Sequence, residues 1–165
     1  MKTIAVLSVL VLLAGCTDFM SKPFCREMLG DVNSHFGGGF QFIGSYPDIN
    51  SQFAFCGYEN KDKELSVSLG YANKSQYLSQ SVEEMKENIT STKFYTEATD
   101  KKFVEKDGYV YLYATGSMVD HPSQWVVLRK SSTFVMVDVG ADKKEDFYPE
   151  NTLLDMALII SEKVD

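Results

Sequence analysis

Residues Glu64–Tyr71 alternate cleanly, with Leu65, Val67 and Leu69 on one side and Glu64, Ser66 and Ser68 on the other. A period of two sends successive side chains to opposite faces of a strand, so this stretch reads as part of a sheet with one buried and one wetted surface. Gln52–Glu59 has the same character, with Phe53 and Phe55 on one face and Ala54, Cys56 and Tyr58 on the other. In Tyr109–Thr115 the residues Tyr109, Tyr111 and Tyr113 alternate with Val110, Leu112 and Ala114. Gln124–Lys130 and Thr133–Gly140 follow as two strands joined by Ser131-Ser132, a hairpin pattern. Connections this short join antiparallel strands.

Helical spacing appears in three places. Ser21-Lys22-Pro23 combines a capping serine with proline in the first turn. Cys25, Met28, Leu29, Val32 and Phe36 then form one stripe, which Gly37-Gly38-Gly39 ends. Ser75 is positioned to cap a second helix over Gln76–Asn88, with Leu78, Val82, Met85 and Ile89 on one side. Pro149 opens a last, heavily apolar helix carrying Leu153, Leu154, Ala157, Leu158, Ile159 and Ile160. Between these elements, Phe40–Gly44 reads as a short strand, Tyr46-Pro47-Asp48 as a turn and Phe103-Val104 as the start of a strand. Asp107-Gly108 is a turn signal and Gly116–Ser123 reads as a loop. The order predicts an α+β domain: an antiparallel sheet of about six strands packed with three helices, an α/β sandwich.

The first residues are not part of that domain. Met1–Cys16 has a basic start at Lys2, an apolar run over Ile4–Leu13 and then Leu13-Ala14-Gly15-Cys16. The run is about ten residues, against the roughly 20 that a spanning helix needs, and reads as a secretory signal. Its last four residues resemble a lipobox, at which lipoprotein precursors are lipidated on cysteine and cut. The expected division is a signal peptide at 1–15, lipidated Cys16 with a short linker at 16–22, and a single domain at 23–165. Lipid on Cys16, palmitate included, would hold the chain to the membrane. An Asp directly after the cysteine signals inner-membrane retention in Gram-negative lipoproteins. Here Thr17 holds that place and Asp18 comes one later, and the resemblance to those lipoproteins implies the outer membrane, facing the periplasm, in an organism that has one.

Charge and cysteine count narrow the partners. The chain carries a net charge of −7, which argues against nucleic acid, whose ligands need a basic footprint. It also makes membrane attachment depend on acyl chains and not on anionic lipid. With Cys16 committed to the anchor, Cys25 and Cys56 remain. An oxidising compartment favours one bridge between them, which would contribute roughly 3 kcal/mol. Without a nearby histidine pair, two cysteines make a poor metal site.

No constellation for catalysis emerges. The two histidines, His35 at the end of the first helix and His121 before Pro122, fall in no catalytic motif. The carboxylates Glu83, Glu84, Glu87, Asp142, Glu145 and Asp146 form surface charge runs. Asp142–Asp146 lacks calcium-loop spacing, and Gly37-Gly38-Gly39 follows a helix where an anion cradle would precede one. The expectation is a non-enzyme without cofactor or metal.

The aromatic strands suggest a surface instead. Tyr109, Tyr111 and Tyr113 share one face of their strand, Trp125, Val127 and Arg129 one face of the next, and Phe134, Met136 and Asp138 one face of the last. Val135, Val137 and Val139 are expected on the core side. Tyr, Trp, Met and Arg are enriched where proteins meet. Tyr109, Tyr111, Tyr113, Trp125 and Arg129 are therefore the candidate partner-binding residues. The competing reading is that a helix covers this side.

The succession is a lipobox, a helix with Cys25, Gly-rich residues, a strand with Cys56-Gly57-Tyr58, an alternating strand, a helix, a hairpin and an apolar last helix. It resembles the small exported bacterial lipoproteins with a PsbP-like α/β/α sandwich. The resemblance spans most of Phe24–Val164 and rests on order and spacing, so no functional residue carries over. It implies a lipid-anchored, non-catalytic accessory that binds an envelope protein, as an assembly, envelope-machine or immunity-type factor. The alternative is a periplasmic carrier of a small apolar ligand.

Overall fold

A computed structural model describes residues 23–48, 53–72, 81–91, 97–106, 108–118, 121–130 and 133–164. The signal, Cys16 and the linker lie outside the described residues. Helical residues 23–27 lead through Met28 into α1 (Leu29–Phe36). Three strands follow: β1 (Gln41–Asp48), β2 (Phe53–Asn60) and β3 (Leu65–Ala72). Next come α2 (Val82–Thr90), then β4 (Asp100–Lys106), β5 (Tyr109–Met118), β6 (His121–Lys130) and β7 (Thr133–Ala141). A 3-10 turn at Lys144–Asp146 precedes α3 (Glu150–Val164).

The strands form one seven-stranded antiparallel sheet in the order β1-β2-β3-β7-β6-β5-β4. It consists of two meanders joined where β3 pairs β7, with Val67 opposite Val139 and Leu69 opposite Val137. With three helices among the described residues, this is the expected α+β architecture, one strand larger than about six.

One face of the sheet lies under α1 and α3. Its core holds Tyr58, Leu65, Val67, Leu69, Val126, Leu128, Val135, Val137 and Val139. Against them pack Cys25, Met28, Val32 and Phe36 from the first helical stretch, and Leu153, Met156, Ala157 and Ile160 from α3. The Cys25–Cys56 disulfide joins that stretch to β2. Beside it the Tyr58 hydroxyl donates to the Cys25 carbonyl at 2.6 Å. The opposite face has a smaller core of Val110, Leu112, Ala114, Trp125, Val127, Phe134 and Ala72, covered by Met85 of α2 and by Ala98.

Local chemistry explains the helix ends. Gly37 takes φ 85° at the C-terminus of α1, a left-handed conformation that glycine adopts without a Cβ penalty, and Gly38 N–H closes on the Asn33 carbonyl. The second helix starts at a different serine from the expected one. Ser81 caps it, accepting from Glu84 N–H at 3.1 Å while Glu84 accepts from Ser81 N–H at 2.7 Å. Ser75 and Leu78 lie outside the described residues.

Two other expectations are corrected. Tyr46-Pro47-Asp48 continues β1 instead of turning. β1 is an edge strand, where the missing N–H of proline breaks no ladder between neighbours. Gly116–Ser123 is mostly strand: Gly116 pairs Ser123 and Ser117 pairs Pro122, so the hairpin closes later. These strand ends are polar and small and carry no alternation to read.

Candidate functional site

Register separates the five candidate partner-binding residues. Tyr111 lies opposite Leu128, Tyr113 opposite Val126 and Tyr109 opposite Lys130. Leu128 and Val126 in turn lie opposite Val135 and Val137. The tyrosines therefore share the face under α3 with the valines of β7. Trp125 and Arg129 are on the other face, where Trp125 faces Ala114 and Asp138 across its neighbours. The expected single aromatic face is corrected: each strand reveals its own two sides, but only the pairing reveals which sides coincide.

Burial follows. Tyr111 is only 6% exposed and Trp125 only 4%, while Tyr109, Tyr113 and Arg129 are half-buried. Tyr111 donates its hydroxyl to Glu150 Oε1 at 2.6 Å, and Lys102 Nζ bonds both oxygens of the same carboxylate at 3.0 and 3.1 Å. Glu150 opens α3, where a carboxylate complements the helix dipole. Burial, and then the bond to Glu150, push the Tyr111 hydroxyl up to about 12. This row anchors the last helix.

The opposite face is not covered evenly. Among the described residues, α2 packs over the apolar cluster that reaches from Val110 and Leu112 to Phe134 and Met136, whereas further along β3 and β7 the face carries Ser66, Ser68, Asp138 and Gly140. Ser66 is exposed and Ser68, Asp138 and Gly140 are half-buried. Ile43, beside Gly57 on the edge of this region, is 56% exposed.

At one end of this region is a cavity of about 480 Å³. Ser66, Asp138, Gly140 and Ser123 belong to the sheet that floors it. Glu59, Lys61, Glu64, Asp142 and His121 come from strand ends and the β2–β3 turn. A Cβ on Gly140 would meet Ser66 Oγ at 2.6 Å, so glycine is what lets the Ser66 hydroxyl lie over β7. Lys61 pairs with Glu59 at 3.9 Å on the exposed rim.

Asp138 is the unusual member. It stands mid-strand between Val137 and Val139, opposite Ser68 on one side and Trp125 on the other. Its Oδ1 is shut off from solvent and has no hydrogen-bond partner. Desolvation raises its pKa from 3.8 to about 7. A carboxylate shifted this way beside a cavity is a functional-site signature. Asp138 was visible in the sequence as one acidic residue inside an apolar run, but the cavity needed β2, β3, β6 and β7 in register.

His121 reaches the cavity, whereas the ring nitrogen Nδ1 of His35 lies 3.1 Å from the Asp31 carbonyl on its own helix. Among the described residues no group of three or more His, Cys, Asp or Glu is placed to hold a metal ion, and no helix is long and apolar enough to cross a membrane. The chain matches no family model, no curated protein and no solved structure.

Proposed function

We propose that the chain is a lipid-anchored envelope lipoprotein of PsbP-like architecture, held in the outer membrane through Cys16, that binds an envelope protein without catalysing a reaction. The lipobox-like Leu13-Ala14-Gly15-Cys16 supports the anchor. The observation that carries the binding role is the uneven dressing of the sheet. Among the described residues, the face beneath α1 and α3 is a closed apolar core, while on the opposite face α2 leaves Ile43, Ser66, Ser68 and the Asp138 cavity uncovered. The short side chains of exposed Ser66 and half-buried Ser68 leave room for a partner's backbone to come close. The binding surface in this reading is therefore the Asp138 side, in place of the tyrosine row. The carrier reading fits less well, because an apolar ligand in this cavity would leave the Asp138 carboxyl and the Ser66 hydroxyl in its lining unpaired.

Cell fractionation with crosslinking tests this. The native chain should sediment with outer membranes and crosslink to an envelope protein, and Cys16→Ser should release it to the periplasm and reduce the crosslink. Continued membrane fractionation of Cys16→Ser would contradict the anchor. An unchanged crosslink from the released protein would show that position on the membrane is not needed.

A further inference from the structure

We infer that the cavity at Asp138 is a binding site for an organic cation, an alkylammonium or guanidinium group that docks against the Asp138 carboxylate. The inference goes beyond the protein-binding reading, because it concerns the ligand's chemistry and holds whether the cation arrives on a protein or as a small molecule.

The first support is the orphaned Oδ1. Asp138 lines the cavity while its Oδ1 is sealed off without a donor, so the carboxylate is poorly stabilised, and a cation at its cavity-facing side would offset that cost. Ser66 and Ser68 flank Asp138 on the neighbouring strand, yet neither satisfies that oxygen. The second support is the sign of the surroundings. Glu59, Glu64, Asp138 and Asp142 line the cavity against Lys61 and His121, and Lys61 is already drawn to Glu59. An anion would meet net repulsion there. The carboxylates are also not grouped tightly enough to chelate a metal ion among the described residues.

The third support is shape. A guanidinium or ammonium group offers several N–H donors, which suits one deep carboxylate and the acceptor lone pairs of Ser66 and Ser123. Leu65 and Ala141 supply apolar wall for the alkyl stem behind the charge. The volume lies within the range of small-molecule sites, about 300–1,000 Å³. Together these features describe a receptor for a positively charged head on a short aliphatic stem.

The test is a titration at pH 8, where the carboxyl is mostly ionised, of the isotope-labelled full chain in detergent with n-butylammonium and n-butylguanidinium at constant ionic strength, followed by amide chemical shifts. The proposal expects saturable shifts at Ser66, Ser123 and Gly140. Asp138→Asn, nearly isosteric, should weaken binding at least tenfold, and Asp142→Asn on the rim about two- to fivefold. Butanol and butyrate should produce no saturable shift at these amides. A capped Gly-Gly-Arg-Gly peptide separates the sources: binding tenfold or more tighter than butylguanidinium places the cation on a protein partner, and equal binding places it on a small molecule. Equal affinity in folded Asp138→Asn, saturation by butanol or butyrate, or shifts confined to other surfaces would overturn the proposal.

Discussion

The side-chain amide of Gln124 replaces a strand neighbour for Tyr148. Tyr148 N–H donates to Gln124 Oε1 at 2.6 Å and Gln124 Nε2 donates to the Tyr148 carbonyl at 2.9 Å. Gln124 is fully buried on β6, and Tyr148 lies just before α3. The Tyr148 hydroxyl continues the link by donating to the Phe36 carbonyl at the end of α1, at 2.7 Å. Sheet, last helix and first helix are thus fastened through one amide and one phenol. Gln124→Ala strands two backbone groups and opens a void. It should cost on the order of 2–4 kcal/mol and lower the melting temperature by roughly 5–15 °C. Calorimetry checks this, and a change below about 1 °C would show that the link bears little of the fold.

Tyr111 distinguishes core from surface. Because it packs beneath α3 and bonds Glu150, Tyr111→Ala should destabilise by about 3–5 kcal/mol, as for other buried aromatic rings. Tyr111→Phe keeps the ring and should lose only about 1 kcal/mol. Denaturant unfolding of both variants gives the ratio. Equal, small losses would return the tyrosine row to the surface.

Asp138 gives stability a pH dependence of known sign. Its folded pKa of about 7 lies above the ordinary value of 3.8, so between these values the folded state holds a proton that the unfolded state releases. This contribution is full below about pH 4, falls as pH rises towards 7 and stays low above that. Asp138→Asn should remove the slope. The variant should match the native protein near pH 4 and exceed it at pH 8 by on the order of 2–4 kcal/mol. Paired urea titrations at the two pH values measure the difference. A variant less stable at pH 8 than at pH 4, relative to native, would contradict the assignment.

The Cys25–Cys56 bridge closes a loop with a sequence separation of 31 residues. Replacing both cysteines by alanine should cost about 3 kcal/mol. The test is the shift in denaturant midpoint, with thiol labelling of Cys25 and Cys56 in the non-reduced native protein expected to be negligible. Full labelling without reductant would show that the bridge does not form.

The fold was legible where periodicity was strong. Leu65, Val67 and Leu69 did turn inward, Cys25, Met28, Val32 and Phe36 did form one buried stripe, and Pro149 did precede the last helix. Legibility failed where information is non-local. Nothing within Tyr109–Thr115 states that Tyr111 will sit opposite Leu128 and not Val127, and a one-residue difference exchanges the faces. The same limit hid the cavity, whose lining runs from Glu59 to Asp142. Pro47 misled because its turn preference is local, while its place at a sheet edge is set by topology.

The central claim is that the protein meets its partner through the Asp138 side of the sheet. Photo-crosslinking amino acids at Ser68 and at Tyr109, in the full chain in cells, test it most directly. A discrete adduct with an envelope protein is expected from Ser68, weakened by Asp138→Asn, and none from Tyr109. An adduct from Tyr109 with none from Ser68 would contradict it.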